Sequence, residues 1–142
     1  MHELKRLAID PGDKHVGWAY SPDGATVTSG EWRPGEAVDR VVRMMTLDEV
    51  QELIVEEFIL YEWEAKKQAW SKLQTSQLIG GLKVVAHFFR IPVVEQGAYI
   101  KKPTRAQLAG RKIAMQGGSI HSKDAQLHLW YRILRSRGES ES

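Results

Sequence analysis

The stretch Leu7-Ala8-Ile9-Asp10-Pro11-Gly12 constrains this chain more than any other. An apolar run bounded by Pro-Gly reads as a buried strand, and this one ends in a carboxylate. Pro11-Gly12 turns the chain, and Val16 to Tyr20 reads as a second strand. A carboxylate at the end of a buried strand sits at the edge of a core. Burying it without a partner costs several kcal/mol or shifts its pKa. Asp10 therefore needs a partner, for which a metal ion is one candidate. The other reading is an aspartate that caps an ordinary turn, which Asp-Pro-Gly also suits.

Length and charge narrow the choices. With 142 residues there is room for one domain with one core, expected over 1–137, and a polar tail over 138–142 expected to be disordered. The absence of cysteine excludes disulfides and thiolate zinc sites and fits a reducing cytosol. No apolar run reaches the roughly 18–20 residues of a membrane span, and the first residues lack a signal-peptide pattern. A cytoplasmic location without membrane attachment is the expectation. The net charge of +2 hides an asymmetry: residues 1–64 hold 6 Lys and Arg against 14 Asp and Glu, whereas residues 65–142 hold 14 against 4. A basic half favours a polyanion such as nucleic acid as partner, although halves that intermix in the fold would only solvate its surface.

The remaining elements follow from periodicity and turn residues. Ala25 to Trp32 reads as a third strand, so the first three form an antiparallel meander. Glu36 to Glu57 has largely helical spacing, with a possible break at Thr46-Leu47-Asp48 where Thr46 could cap a fresh helix. Phe58-Ile59-Leu60-Tyr61 reads as a central strand ending at Glu62. Residues 66–72 read as a loop or frayed helix start, and a long helix covers 73–90. Ile91 to Glu95 is a short edge strand entered through Pro92. A short helix over 103–108 and a mobile stretch over 112–119 precede a last helix over 120–135.

Two strands thus end in acids, Asp10 and Glu62. If these strands are adjacent and parallel, both acids emerge at one edge. The last helix begins with His121-Ser122-Lys123-Asp124, whose first and last residues share a face. Three carboxylates and an imidazole on one rim suit Mg²⁺ or Mn²⁺ better than zinc. Two such cations about 4 Å apart are a standard device for in-line displacement at phosphorus. Asp13 and Glu64 are second-choice ligands. The plainer readings are a solvent-facing Glu62, an Asp124 that favours its helix dipole, and a surface His121.

The ordered set of Asp-Pro-Gly after strand one, Gly-Trp in strand two, Glu62 within Leu60-Tyr61-Glu62-Trp63, and His121-Ser122-Lys123-Asp124-Ala125 resembles the RuvC-type Holliday-junction resolvases. The resemblance covers nearly the whole chain. It implies an α/β RNase H-like (retroviral integrase) fold: a mixed five-stranded sheet, with a three-strand antiparallel meander plus two parallel strands, flanked by helices. It also implies a homodimer that nicks four-way DNA junctions symmetrically, with two Mg²⁺ or Mn²⁺ ions per site. Asp10, Glu62 and Asp124 resemble the family's metal acids, and His121 stands where many members have Asp and some have His. Lys102 resembles a lysine that contacts DNA near the scissile phosphate, and Gly80-Gly81 a small-residue stretch near the dimer contact. Ala65 stands where the family often has a stacking aromatic. The chain is short beside the bacterial enzymes, which suits a phage-encoded relative.

On that resemblance, Lys66, Lys67, Lys72, Lys101, Lys102, Arg105, Arg111 and Lys112 are expected to line a branched-DNA surface, with Trp70 stacking on an unpaired base or filling a core. Leu78, Gly80, Gly81, Leu82 and Val85, with Phe88 or Phe89 nearby, are the expected dimer face; the other reading is that they fill the core of their own chain, as some must. Two other classes compete. One is a junction-binding module without catalysis. The other is an actin-hexokinase-type phosphotransferase, whose machinery needs two such lobes where this chain has length for one.

Overall fold

The computed structural model describes residues 3–12, 14–57 and 62–141; the side chains of 62–73 and 139–141 lie outside that description. Five strands form one sheet: β1 (Arg6–Asp10), β2 (Val16–Ser21), β3 (Thr28–Trp32), β4 (Glu52–Glu56) and β5 (Val93–Gln96), in the order β3-β2-β1-β4-β5. The first three are antiparallel, and β1 with β4 and β4 with β5 are parallel. Among the described residues four α-helices accompany the sheet: α1 (Pro34–Leu47), α2 (Glu62–Phe88), α3 (Lys101–Gly110) and α4 (Ile120–Glu141). The mixed sheet expected from the sequence is the one observed. No helix among the described residues is long and apolar enough to cross a membrane.

The sheet is covered on both faces, so its centre is continuously apolar rather than alternating. Leu7 and Ile9 of β1, with Leu53 and Val55 of β4, pack against α1 and α2. Ala8 and Ile54 face the other way, against α3 and α4. Each buried Leu or Ile contributes about 1.5–3 kcal/mol. Side chains two apart on a strand share a face, so Asp10 and Glu56 emerge on the α4 side, one step beyond Ala8 and Ile54.

The other ends of β1 and β4 carry charge on the same face. Arg6 lies opposite Glu52 in the parallel register, and their side chains are joined at 3.0 Å with both buried. Arg132 of α4 reaches the same carboxylate at 3.0 Å. Arg6 also bonds Glu3 at 2.7 Å.

Several boundaries differ from the sequence reading. The helix expected from 36 to 57 stops at Leu47, and residues 52–56 are a strand. Thr46 caps no new helix; its hydroxyl donates back to the carbonyls of Val42 and Arg43. Glu49 then takes a left-handed conformation, φ 56°, which ends the helical path. Val50, Leu53 and Ile54 continue the helical spacing of α1, and a short apolar run does not by itself distinguish helix from strand. The strand expected at Phe58–Tyr61 lies outside the described residues, and the place between β1 and β5 belongs to β4. The 66–72 stretch, expected to be a loop or a frayed helix start, is part of α2, and α4 runs to Glu141. The 112–119 stretch is pinned by Gln116, whose side chain bonds the Val27 carbonyl and whose N–H donates to Gln126 at 2.8 Å.

Gly17 sets how close α4 comes to the sheet. It pairs with Asp10 across β1 and β2. A Cβ there would lie 2.0 Å from the His121 carbonyl oxygen and 2.8 Å from the Ser122 nitrogen. Both are backbone atoms, so no side chain can move aside. Gly17→Ala should destabilise the chain by about 3 kcal/mol or more. Gly35→Ala in α1, with nothing within 4 Å of the added methyl, should be neutral or stabilising by about 0.5–1 kcal/mol. Urea unfolding of the two variants beside the parent checks the contrast.

Candidate active site

Three parallel strands finish at one edge of the sheet, and each delivers a polar group there. Asp10 ends β1, Glu56 ends β4, and β5 ends in Gln96. A single 3-10 turn, Ala98–Ile100, leads from β5 into α3, whose first residue is Lys101. The first turn of α4 lies over this edge because Gly17 admits its backbone. His121 and Asp124 stand on that turn, and His128 follows one turn later. In open α/β sheets this carboxyl edge is where ligands are ordinarily bound.

The contacts form two linked groups. His121 Nδ1 lies 3.0 Å from Asp10 Oδ2. Lys101 Nζ lies 3.0 Å from Glu56 Oε1 and 3.4 Å from Asp124 Oδ2, so it bridges two acids from different elements. His128 Nε2 lies 3.1 Å from the same Glu56 oxygen, and His128 Nδ1 lies 2.8 Å from Gln96 Oε1.

Charge in the site is unevenly offset. Asp10 is 5% exposed. Its pKa is pushed up from 3.8 to about 6, chiefly by burial and further by the charges of Glu56 and Asp124, against the opposing His121 bond. Burial also acts to raise Glu56, but the bonds from His128 and Lys101 outweigh it and hold that carboxyl below its ordinary value. For Lys101, burial acts downward and the two acids prevail, so its ammonium is held more firmly than usual.

The donors fit a hard divalent cation in kind, three carboxylates with one imidazole. An acid with an unfavourable charge beside two others is also what a dication would relieve. Among the described residues no three of these side chains close on a common point. The positive charge between Glu56 and Asp124 is the ammonium of Lys101.

The sequence brought Asp10, His121 and Asp124 to notice; in the structure His121 contacts Asp10 and Asp124 contacts Lys101. The strand-end position expected of Glu62 is held by Glu56; Glu62 opens α2, and its side chain lies outside the described residues. The same holds for the side chains of Glu64, Lys66, Lys67, Trp70 and Lys72, and for Asp13. Lys102 is exposed on α3, and the lysine among the acids is its neighbour Lys101. Arg105, Arg111 and Lys112 are exposed. Of the expected dimer face, Leu82 is fully buried in the chain's own core, Leu78 and Val85 pack partly against it, and Gly81 lies near Val38. Phe88, named beside that face, is 79% exposed and lies in line with Gly80 and with Val84, 69% exposed. Glu56 and His128 were missed, and Lys101, expected on the DNA surface, lies among the acids; the signal for His128 was a lone imidazole inside the apolar set of the last helix.

No family model and no curated relative matches the sequence. Solved structures do match the fold. Thermus thermophilus RuvC in complex with a Holliday-junction substrate superposes with a TM-score of 0.74 at 18% identity, covering 96% of this chain and 97% of that one. The fold is that of RuvC. A second T. thermophilus RuvC structure gives a TM-score of 0.63 at 19% identity, covering 95% of this chain and 97% of its own. The Fowlpox virus resolvase, in complex with Holliday-junction DNA, gives 0.52 at 14% identity, covering 96% of this chain and 98% of its own. The RNase H-like arrangement expected from the sequence is thereby found.

The raised pKa of Asp10 has a consequence for stability. The folded chain holds this proton more tightly than the unfolded chain does. The stability it contributes is therefore complete below pH 3.8 and is lost as pH rises through about 6. The shift of roughly two pKa units corresponds to about 3 kcal/mol. In EDTA, Asp10→Asn should be more stable than the parent by up to about 3 kcal/mol at pH 7, and the gap should close by about pH 4. Urea unfolding of both proteins across that range measures it.

Proposed function

We propose that this chain is a metal-dependent endonuclease that nicks four-way DNA junctions, acting in recombination, repair or the resolution of branched DNA. The observation that carries the reading is the convergence of Asp10, Glu56, His121 and Asp124 on one sheet edge, in a chain with the fold of RuvC. The second acid of the set is assigned to Glu56, because it ends the strand that lies parallel to β1.

In this reading Asp10, Glu56, Asp124 and His121 would hold Mg²⁺ or Mn²⁺, two ions per site. When bound, such ions polarise the phosphate and lower the pKa of an attacking water. The chain's own groups do the rest. His121 orients Asp10 through its 3.0 Å bond. Lys101 keeps a positive charge beside Glu56 and Asp124, where a scissile phosphate would approach. Lys102, Arg105, Arg111 and Lys112 supply exposed positive charge on and after α3, and Lys66, Lys67, Trp70 and Lys72, in the α2 sequence, remain further DNA-binding residues of this proposal. Contacts of this kind act on the phosphate backbone, weaken with salt and carry little sequence information. Hydrolysis at phosphorus by this route leaves a 5′-phosphate and a 3′-hydroxyl.

Paired nicks on a two-fold junction call for a two-fold protein. Gly80, Val84 and Phe88 form the face of α2 proposed for that contact, because Val84 and Phe88 stand exposed outside the core and Gly80 lies in line with them. Phe88→Asp with Val84→Asp should convert a dimer to a folded monomer in light scattering, with the circular dichroism spectrum retained. A double variant that stays dimeric moves the interface elsewhere.

Matched four-way junction, flap and duplex substrates, each with Mg²⁺ and with Mn²⁺, test the activity. Junction DNA should be nicked at paired positions and duplex left intact. Glu56→Gln should reduce cleavage about 100-fold or more while junction binding persists, and Glu62→Gln should cut at close to the parental rate. Junction binding with no cleavage under either metal would replace this reading with a binding module.

A further inference from the structure

Glu56 is gripped from below by a residue that the reaction itself does not need. We propose that His128 is a positioning residue, which fixes Glu56 Oε1 by hydrogen bonding and thereby leaves Oε2 as the oxygen available to a cation. The inference deepens the proposed function, since it rests on Glu56 being a metal ligand.

His128 is fully buried, at 0% exposure, on the turn of α4 that follows Asp124. Residues four apart share a helix face, so Asp124 and His128 both look onto the edge where β4 ends. Two groups hold Glu56 Oε1: Lys101 Nζ at 3.0 Å and His128 Nε2 at 3.1 Å. They are unlike as anchors. The lysine reaches in on a flexible, partly exposed side chain, and its ammonium is shared with Asp124. The imidazole is a rigid ring set in the core and loses little further freedom by holding one orientation. Neither contact uses Oε2.

The hydrogen-bond inventory fixes the direction of this contact. An ionised carboxylate only accepts, so His128 Nε2 has to carry a hydrogen. Gln96 is built to allow that. Its Oε1 lies 2.8 Å from His128 Nδ1, while its own Nε2 is buried without a partner. If the amide is turned over, its NH₂ donates to Nδ1 and the ring hydrogen belongs on Nε2, facing Glu56. If it is not turned, both ring nitrogens donate. Either way Glu56 receives a hydrogen from His128, and Gln96 from the end of β5 holds the ring from behind. Bonds of this type behind a metal ligand commonly change metal affinity about 10–100-fold when removed.

Two substitutions and one spectrum test the assignment. His128→Leu keeps an apolar side chain of similar bulk but removes the donor, whereas His128→Gln restores a nitrogen donor at similar reach. In the leucine variant the Glu56 side chain should populate more than one rotamer by carbon-13 NMR. Calorimetry should show its Mn²⁺ affinity lower by about 10–100-fold. The glutamine variant should recover to within several-fold of the parent. Nitrogen-15 NMR of the parent chain should find a hydrogen on His128 Nε2. An imidazole protonated on Nδ1 alone overturns the proposal with no variant needed. So does a Glu56 that keeps one conformation in His128→Leu, an unchanged Mn²⁺ affinity in that variant, or a glutamine variant as impaired as the leucine one. A parent chain that takes up no Mn²⁺ overturns the reading of the site as a metal centre, and the NMR results then decide the contact between His128 and Glu56 separately.

Discussion

Two parallel strands lying side by side put like-placed residues next to each other, and everything about this molecule's charge follows from that. On the α4 face of β1 and β4, one end pairs Arg6 with Glu52, opposite in sign and joined at 3.0 Å. The other end brings Asp10 and Glu56 out together, both negative. Arg132 adds a further cation to Glu52. The first end is thus a closed ion network inside the protein. Such networks are weak contributors to net stability but are costly to break, because a partner left behind is buried and unpaired. The second end has no matching excess of cations, and Asp10 bears the consequence in its raised pKa.

α4 turns this imbalance into a site rather than a defect. Its first turn is drawn onto β2 through Gly17, which places His121 at Asp10 and Asp124 within reach of Lys101. Further along, Gln126 bonds Ser29 and the Gln116 carbonyl, and His128 engages Glu56 and Gln96. The helix carries its polar residues among apolar neighbours that are buried almost all round from Ala125 to Trp130. Polar side chains in such a helix need partners from the sheet. For His128 those partners are the ends of β4 and β5, so the packing of the core and the shape of the site share these contacts.

The parts of this arrangement that were legible in the sequence are those where one residue type does one job. Asp10 was legible because an apolar strand ended in Asp-Pro-Gly, and His121 with Asp124 because the spacing fixes a common helix face. Glu56 was hidden by Glu52. A charged residue within a central strand makes the run look like the polar side of a helix, and only Arg6 and Arg132, distant in sequence, explain why it can be buried. Lys101 and Lys102 are adjacent, and a helix turns by about 100° between them, so spacing alone did not choose the one that faces the acids. The apolar residues of α2 were open to two readings for a related reason. Leu78, Leu82 and Val85 are apolar enough for either an interface or a core, and the sheet claims them, leaving Val84 and Phe88 outside.

The charge asymmetry of the chain also takes on a definite form. The acidic half supplies β1 through β4 and with them Asp10 and Glu56; the basic half supplies α3 and most of α2 and α4. The bland alternative was that the halves intermix and cancel. In the fold they do meet: Arg132 pairs with Glu52 at one end of the strands, and at the carboxyl edge of the sheet Lys101 lies between an acid from each half. Close to the edge the acids outnumber the cations, while Lys102, Arg105, Arg111 and Lys112 remain exposed on and beyond α3. A polyanion attracted by the exposed charges would be repelled by the acids it reaches unless further positive charge lies between them. That requirement is an electrostatic one, independent of any family likeness. It is why a dication at the acids and a phosphate backbone on the basic surface belong to a single proposal: each lowers the cost of the other.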